Sequence, residues 1–306
     1  MNAREDALLA ELRPRAFAIA YRMLGSTADA DEITQEALLR LHRRLSDDDP
    51  IQSLRAYLAT VTTRLAIDRL RSAQARRESY VGEWLPEPLV SDPTDDPARH
   101  AEMADSLSLA FLVLLESLSP EQRAALLLRD VFDYDYVEIA EIVGTSEPNA
   151  RQLAARARRH VDARRLRFEP SREARDELAR RFFAATQDGD LRALEELLAR
   201  DVVLHGDGGG KVPALAGPLH GRERVARTLL AWARQGRAGG ATIRRAAVNG
   251  QPGALALDTD GRLISVMALE IADGRVRDIS SIVNPDKLEH LGAVTDMRAF
   301  LARRDG

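Results

Sequence analysis

The sequence predicts a multidomain chain: two all-α domains, the second built on a helix-turn-helix, followed by an α+β domain. Three observations predict it. Apolar residues recur at helical spacing from about residue 4 to 168, broken once by a proline-rich, acidic stretch. Within Ser119–Arg167, Gly144 separates two short helical patterns, and the second of them is strongly basic. After about residue 169, two helical patterns give way to short strand-like segments joined by Asp-Gly turns.

The first helix spans about residues 4 to 24, with Leu8, Leu12, Ala16, Ala20 and Leu24 on its inner face. Gly25-Ser26-Thr27 ends it. The second opens with Asp29, Asp31 and Glu32, well placed for a helix dipole. It turns Ile33, Ala37, Leu38, Leu41 and Leu45 inward and Asp31, Glu32, Gln35, Glu36 and Arg40 outward. A third helix from about Ser53 buries Leu54, Leu58, Val61, Leu65 and Leu70. Its other side carries Thr62, Thr63, Arg64, Asp68, Arg69 and Arg71, then Arg76 and Arg77. Hydroxyls interleaved with arginines suit a phosphate backbone and exposed base edges. Residues 79 to 99 read as an extended linker, yet Trp84-Leu85-Pro86 is an odd content for a spacer and reads as an anchor docking on a folded domain. A helix from about His100 to Leu118 then leads to the helix-turn-helix.

Ser119-Pro120-Glu121-Gln122 is a helix start, with a hydroxyl cap, an early proline and Gln122 closing a capping box. Val137, Ala140 and Val143 space the next apolar face, which Gly144 ends. Ser146 caps the last helix. There Ala150, Leu153, Ala154, Ala157 and Val161 face inward, opposite Arg151, Gln152, Arg156, Arg159 and, further on, Arg164, Arg165 and Arg167. Such a face can enter a major groove; plain solvation is the alternative. In the last domain, helices at 172–187 and 190–200 precede a strand at 201–205, a loop Gly206–Lys211, a helix at 222–235 and strands at about 241–249, 253–258, 263–271 and 275–283. The expectation is a curled antiparallel sheet.

Composition narrows the function. Among 306 residues, 45% are hydrophobic and 30% charged, ample for packed cores. There is no cysteine, which excludes disulfides, thiolate nucleophiles and Cys-ligated zinc. No apolar run approaches membrane-spanning length and the N-terminus lacks a signal-peptide pattern, so a cytoplasmic protein without a membrane partner is expected. The net charge of −4 is unremarkable, but the basic residues are locally concentrated.

Three of these segments carry a resemblance. ADADEITQEALLRLH, RAYLATVTTRLAIDRLRSAQARRE and SLSPEQRAALLLRDVFDYDYVEIAEIVGTSEPNARQLAARARRH are similar, in order and spacing, to the polymerase-binding helix, promoter-reading helix and C-terminal helix-turn-helix of extracytoplasmic-function sigma factors. WLPEP at 84–88, DGGGK at 207–211 and NPDKL at 284–288 are similar to signatures of the subgroup with a fused C-terminal SnoaL-like domain, a cone-shaped α+β fold. Leu41-His42 departs from the pattern, standing where many relatives have an aromatic residue.

The resemblance implies four segments: a sigma region 2 domain at 1–77, a linker at 78–105, a sigma region 4 domain at 106–168 and a SnoaL-like regulatory domain at 169–306. It implies two partners, core RNA polymerase and promoter DNA, and no cofactor or metal. Asp31, Glu32, Gln35 and Glu36 would meet the clamp helices of the largest polymerase subunit. The Thr62–Arg77 stretch would meet the minus-ten element, and the loop at Asp48–Gln52 would cap a flipped base. Ser146, Asn149, Arg151, Gln152, Arg156 and Arg159 would serve the minus-thirty-five element, with Arg159 and Arg164 on phosphates. The last domain would act in cis, clamping Trp84, Leu85, Pro86, Glu87 and Pro88 with Asp207, Gly208, Gly209, Gly210 and Lys211 and with Asn284, Pro285, Asp286, Lys287 and Leu288. The alternative is a DNA-binding regulator whose SnoaL-like domain senses a small molecule or catalyses a reaction, with His205, Asp207, His220 and Trp232 lining a pocket. No Ser-His-Asp order, carboxylate pair or metal-ligand cluster supports catalysis, so a non-enzyme is expected. DGGGK lacks the spacing of a nucleotide-binding loop.

Overall fold

The structure is a computed structural model and describes residues 3–46, 51, 53–77, 80–91, 107–162 and 172–302. The side chains of the first and last residues of several of these segments, Arg76 and Arg77 among them, lie outside the description, as do Arg164, Arg165, Arg167 and, apart from Ile51, the loop at 48–52. The chain divides into two compact units. One comprises residues 1–79 and 112–165, the other 80–111 and 166–306.

In the first unit, α1 (Ala3–Leu24), α2 (Thr27–Ser46) and α3 (Leu54–Arg77) pack around Leu12, Ala16, Ala37, Leu41 and Leu58. These are the apolar positions that helical spacing brings to one face of each helix. α3 has a second buried side, made of Ala59, Thr62, Thr63, Ala66, Ile67 and Leu70. That corrects the sequence reading, which put Thr62 and Thr63 on an open face: both are fully buried, and neither hydroxyl has a hydrogen-bond partner among the described residues.

α4 (Leu109–Leu115) leads to α5 (Pro120–Asp130), α6 (Tyr136–Val143) and α7 (Glu147–Asp162). The Ser119 box forms as read, the Ser119 hydroxyl accepting from the Gln122 amide at 3.2 Å and the Gln122 side chain accepting from the Ser119 amide at 3.1 Å. Asp135 and Glu138 make a second box that starts α6, and this sets its phase. Ile139, Ala140 and Ile142 are therefore buried, while Val137, read as an inner position, is 53% exposed. Gly144 closes α6 in the left-handed region at φ 76°.

The helical trio and the helix-turn-helix are one compact unit. Arg64 of α3 donates to the Glu141 and Ile142 carbonyls, at 2.7 and 3.0 Å, where the C-terminal turn of α6 leaves acceptors open. Arg123 of α5 is 3% exposed and donates to the carbonyls of Leu115 and Met23.

In the second unit, α8 (Arg172–Asp188), α9 (Leu191–Leu197) and α10 (Arg222–Ala238) cover one face of a sheet. Its strands are β1 (Val90–Ser91), β2 (Leu198–Asp207), β3 (Leu219–His220), β4 (Thr242–Val248), β5 (Gln251–Leu257), β6 (Leu263–Ala272) and β7 (Arg275–Ile282), in the order β1-β4-β5-β6-β7-β2-β3. The expected antiparallel sheet is mixed, because β2 and β7 pair in parallel. The intervening α10 and hairpins bring the chain back alongside β2 in the same direction. The helix read to residue 200 ends at Leu197, where the chain turns extended to carry Leu198 and Ala199 into the core. Asn249-Gly250 and Asp273-Gly274 turn with positive φ at both residues, as tight hairpins demand. A short helix α11 (Met297–Ala302) seats Phe300 beside Gly239.

Candidate functional site

The linker lies on the second unit, and one buried ion pair fixes it there. Asp207, the last residue of β2, is fully buried. Its carboxylate accepts from Tyr80 Oη at 2.6 Å, from the Leu85 amide at 2.8 Å, from the Gly209 amide at 3.0 Å and from Lys287 Nζ at 2.6 Å. Lys287 is 6% exposed; it also donates to the Leu85 carbonyl and lies 4.9 Å from the Tyr80 ring and 4.4 Å from the Trp84 ring. The aromatic faces and carbonyl replace the water that an ammonium normally holds. Asn284 starts a single 3-10 turn over Pro285–Lys287, so that Lys287 points back at Asp207, and its amide donates to Tyr80 Oη at 2.9 Å. Burial, helped by the adjacent Asp207 carboxylate, pushes the Tyr80 hydroxyl well above its ordinary range.

Three glycines allow this approach. A Cβ on Gly209, at φ 59°, would collide with the Asn284 amide; one on Gly210, at φ 71°, would stand 2.8 Å from Val81 Cβ; one on Gly208 would meet the Val212 carbonyl. Pro86 and Pro88 are buried and Glu87 is half-buried. Lys211 does not reach the linker: it pairs with Asp286 at 2.6 Å on the surface. Leu288 is buried.

Further contacts hold the same stretch. His205 on β2 stands 2.6 Å from Glu83 and 2.9 Å from Asp278 of β7. His290 donates to the Pro88 carbonyl at 2.8 Å. Asn249, at the tight turn, accepts from the Leu89 amide at 2.8 Å and donates to the Leu107 carbonyl at 2.9 Å. Val90 and Ser91 then pair with Val248 and Ala247 as an edge strand. Sequence reasoning missed Tyr80, Glu83, Asn249, Asp278 and His290, because none belongs to the quoted motifs and all five gain their partners only through folding. Tyr80 and Glu83 border WLPEP, the one signal that pointed toward them.

The four candidate pocket residues have different surroundings. His205 and Asp207 are committed to the linker, Trp232 packs on the apolar core with Phe182, Phe183 and Leu229, and His220 is exposed on β3. Among the described residues no group of His, Asp and Glu has the arrangement of a metal site.

In the first unit, α7 presents Asn149, Gln152, Arg156 and Arg159 as one exposed stripe at helical spacing, with Ser146 and Arg151 exposed beside it. Asn149 is held by Thr145 Oγ1 at 2.7 Å, and Arg151 pairs with Glu147 and lies 4.5 Å from the Tyr136 ring. On α2, Asp31, Glu32 and Gln35 are exposed and Glu36 is half-buried. Asp31 pairs with Arg13, Glu32 with Arg69 and Glu36 with Arg40. On α3, Arg71 pairs with Glu121 at 2.7 Å, so Arg64, Arg69 and Arg71 are all engaged within the unit.

Models of known families match each part: sigma-70 region 2 over residues 8–76, sigma-70 region 4 over 108–161 and the SnoaL-like domain over 179–283. The chain is 40% identical over 287 residues to the ECF RNA polymerase sigma factor SigJ of Mycobacterium tuberculosis, covering 90% of each chain. It is 34% identical over 280 residues to the probable ECF RNA polymerase sigma factor SigI of the same species, covering 90% of this chain and 91% of that one. The crystal structure of the M. tuberculosis SigJ aligns with a TM-score of 0.75 and 37% identity over 93% of this chain and 98% of that one. A helical trio, a helix-turn-helix and an α+β cone in this order define an initiation factor that directs polymerase to promoters. The chain belongs to the extracytoplasmic-function sigma factors, in the form that carries a SnoaL-like domain behind sigma regions 2 and 4. No helix among its described residues is long and apolar enough to cross a membrane.

Proposed function

We propose that the SnoaL-like domain governs promoter initiation in cis by holding the linker that joins the two DNA-reading regions. The observation that carries this reading is the buried Asp207–Lys287 pair closed over Tyr80, Trp84 and Leu85. A linker anchored at several points between residues 80 and 91 cannot act as a free spacer, so its seating restricts how sigma regions 2 and 4 are delivered to a start site. In this proposal His205 and Asp207 serve the anchor and no catalysis.

The same reading assigns the exposed stripe of α7 to the minus-thirty-five element. There Asn149 and Gln152 suit adenine edges, Arg151 and Arg156 suit guanine, and Arg159 suits phosphate. The α2 face of Asp31, Glu32, Gln35 and Glu36 would meet the clamp helices of polymerase. Arg64, Arg69, Arg71, Arg76 and Arg77 would meet the minus-ten element once the first unit opens, since Arg64 is bonded to α6 in the closed arrangement. Thr62 and Thr63, buried here, would join them only in that opened form. The test is run-off transcription with core polymerase, comparing the intact chain with Lys287→Met and with Trp84→Ala. Both substitutions are expected to change promoter output in the same direction. Output equal to that of the unsubstituted chain in both would overturn the cis role.

A further inference from the structure

His205 differs from the other linker contacts in needing a proton. Its Nδ1 is 2.6 Å from Glu83 Oε1 and its Nε2 is 2.9 Å from Asp278 Oδ2. Carboxylates only accept, so both ring nitrogens must donate, and only the imidazolium has two N–H groups. With a neutral ring, one nitrogen lone pair would face a carboxylate oxygen at hydrogen-bond distance. All three side chains are shielded, at 18%, 17% and 16% exposure. The remaining oxygens, Glu83 Oε2 and Asp278 Oδ1, are buried without a hydrogen-bond partner among the described residues. The positive ring is thus what makes burial of both carboxylates tolerable.

Other charged or titratable groups near this part of the sheet do not replace it. Glu270 of β6, buried opposite Asp278 in the register, is a further carboxyl and supplies no positive charge. Asp207 and Lys287 are bound to each other, with Tyr80 beside them. His220 of β3, opposite Val203, is exposed.

We propose that docking of the linker takes up one proton, on His205, so that rising pH frees the linker from the SnoaL-like domain and falling pH seats it. The inference deepens the cis-regulatory reading and rests on it for its biological meaning, but its test reads docking alone. Burial opposes the charged ring; the bonds to Asp278 and Glu83 outweigh it and hold the docked imidazole at about 10. Release of the linker takes Glu83 away and opens the ring to water, while Asp278 of β7 stays beside it, so the undocked value lies below about 10 but is still raised by Asp278. The docked value is the higher one, so the stabilisation is complete below the undocked value and is lost as pH climbs toward 10. Across that window each pH unit weakens docking about tenfold, because one proton is bound on closing.

Hydrogen exchange of the intact chain tests this. Protection of the Leu85 and Leu89 amides, both bonded to the domain, is measured from about pH 6.5 to about pH 9.5 and corrected for intrinsic base catalysis. The expected result is a fall in the linker that approaches about tenfold per pH unit above the undocked value, no such slope in α5, and a flat profile in His205→Gln. Glu83→Gln retains the ring and removes one carboxylate, so its slope is expected to end at lower pH; it serves as the readout should His205→Gln not fold. An equal slope in the His205→Gln chain, or a flat profile in the unsubstituted chain, overturns the proposal. A pH slope that vanishes with His205 while transcription ignores Lys287→Met would leave proton coupling standing and remove the cis role.

Discussion

Lys287 holds its charge where 6% of its surface meets solvent. Burying an ammonium costs several kcal/mol, about what a carboxylate, a carbonyl and two ring faces must offset. Removing one partner leaves the other charged, buried and alone. Lys287→Met is therefore expected to destabilise the second unit by about 3–5 kcal/mol in urea unfolding followed by tryptophan fluorescence. The double substitution Asp207→Asn, Lys287→Met is expected to cost less than the two single changes summed, since the orphaned charge is gone. Glycine separates two effects at this scale. Gly209 and Gly261 both sit in the left-handed region, but only at Gly209 does a Cβ strike a neighbour, the Asn284 amide. Gly261→Ala is expected to cost about 1 kcal/mol from backbone strain alone. Gly209→Ala should cost more and raise the exposure of Trp84 to acrylamide quenching. DGGGK was legible as a close backbone approach; that Lys211 would turn away to Asp286 was not, because an exposed lysine can reach either partner with similar energy.

Each element of the helix-turn-helix begins with its own cap. Ser119→Ala removes an acceptor from the first turn of α5 and is expected to lower the stability of the first unit by about 1 kcal/mol by chemical denaturation. Sequence spacing fixed the face of α7, where alanines alternate with arginines and only one stripe can pack. It misplaced α6, because Val137 and Ile139 are equally apolar and only the Asp135–Glu138 box sets which one faces in. α3 was misread for a related reason: a helix buried on two sides carries no single apolar stripe, and threonine methyls fill its second side. The exposed stripe of α7 makes a separable prediction. Arg156→Ala is expected to weaken promoter binding by about 1–3 kcal/mol and relax base preference. Arg159→Ala is expected to weaken all sequences alike and reduce the salt slope by about one, measured by binding titrations at several salt concentrations.

At the scale of the whole molecule, the described part of the linker, residues 80–91, belongs to the second compact unit. Its seating follows from backbone groups that have to be satisfied: Leu85 and Leu89 amides on Asp207 and Asn249, and two residues of strand on β4. By itself the sequence determined the order of helical and α+β domains, the Ser119 and Ser146 caps, the cationic stripe and the family, because these depend on local spacing and on motifs a few residues long. Only the tertiary structure decided that β2 joins β7 in parallel, that Thr62 and Thr63 are buried, and that His205 meets Glu83 and Asp278. Those outcomes join residues up to 122 positions apart. Charge and hydropathy along a chain do not say which distant partner the packing of a core will bring within reach.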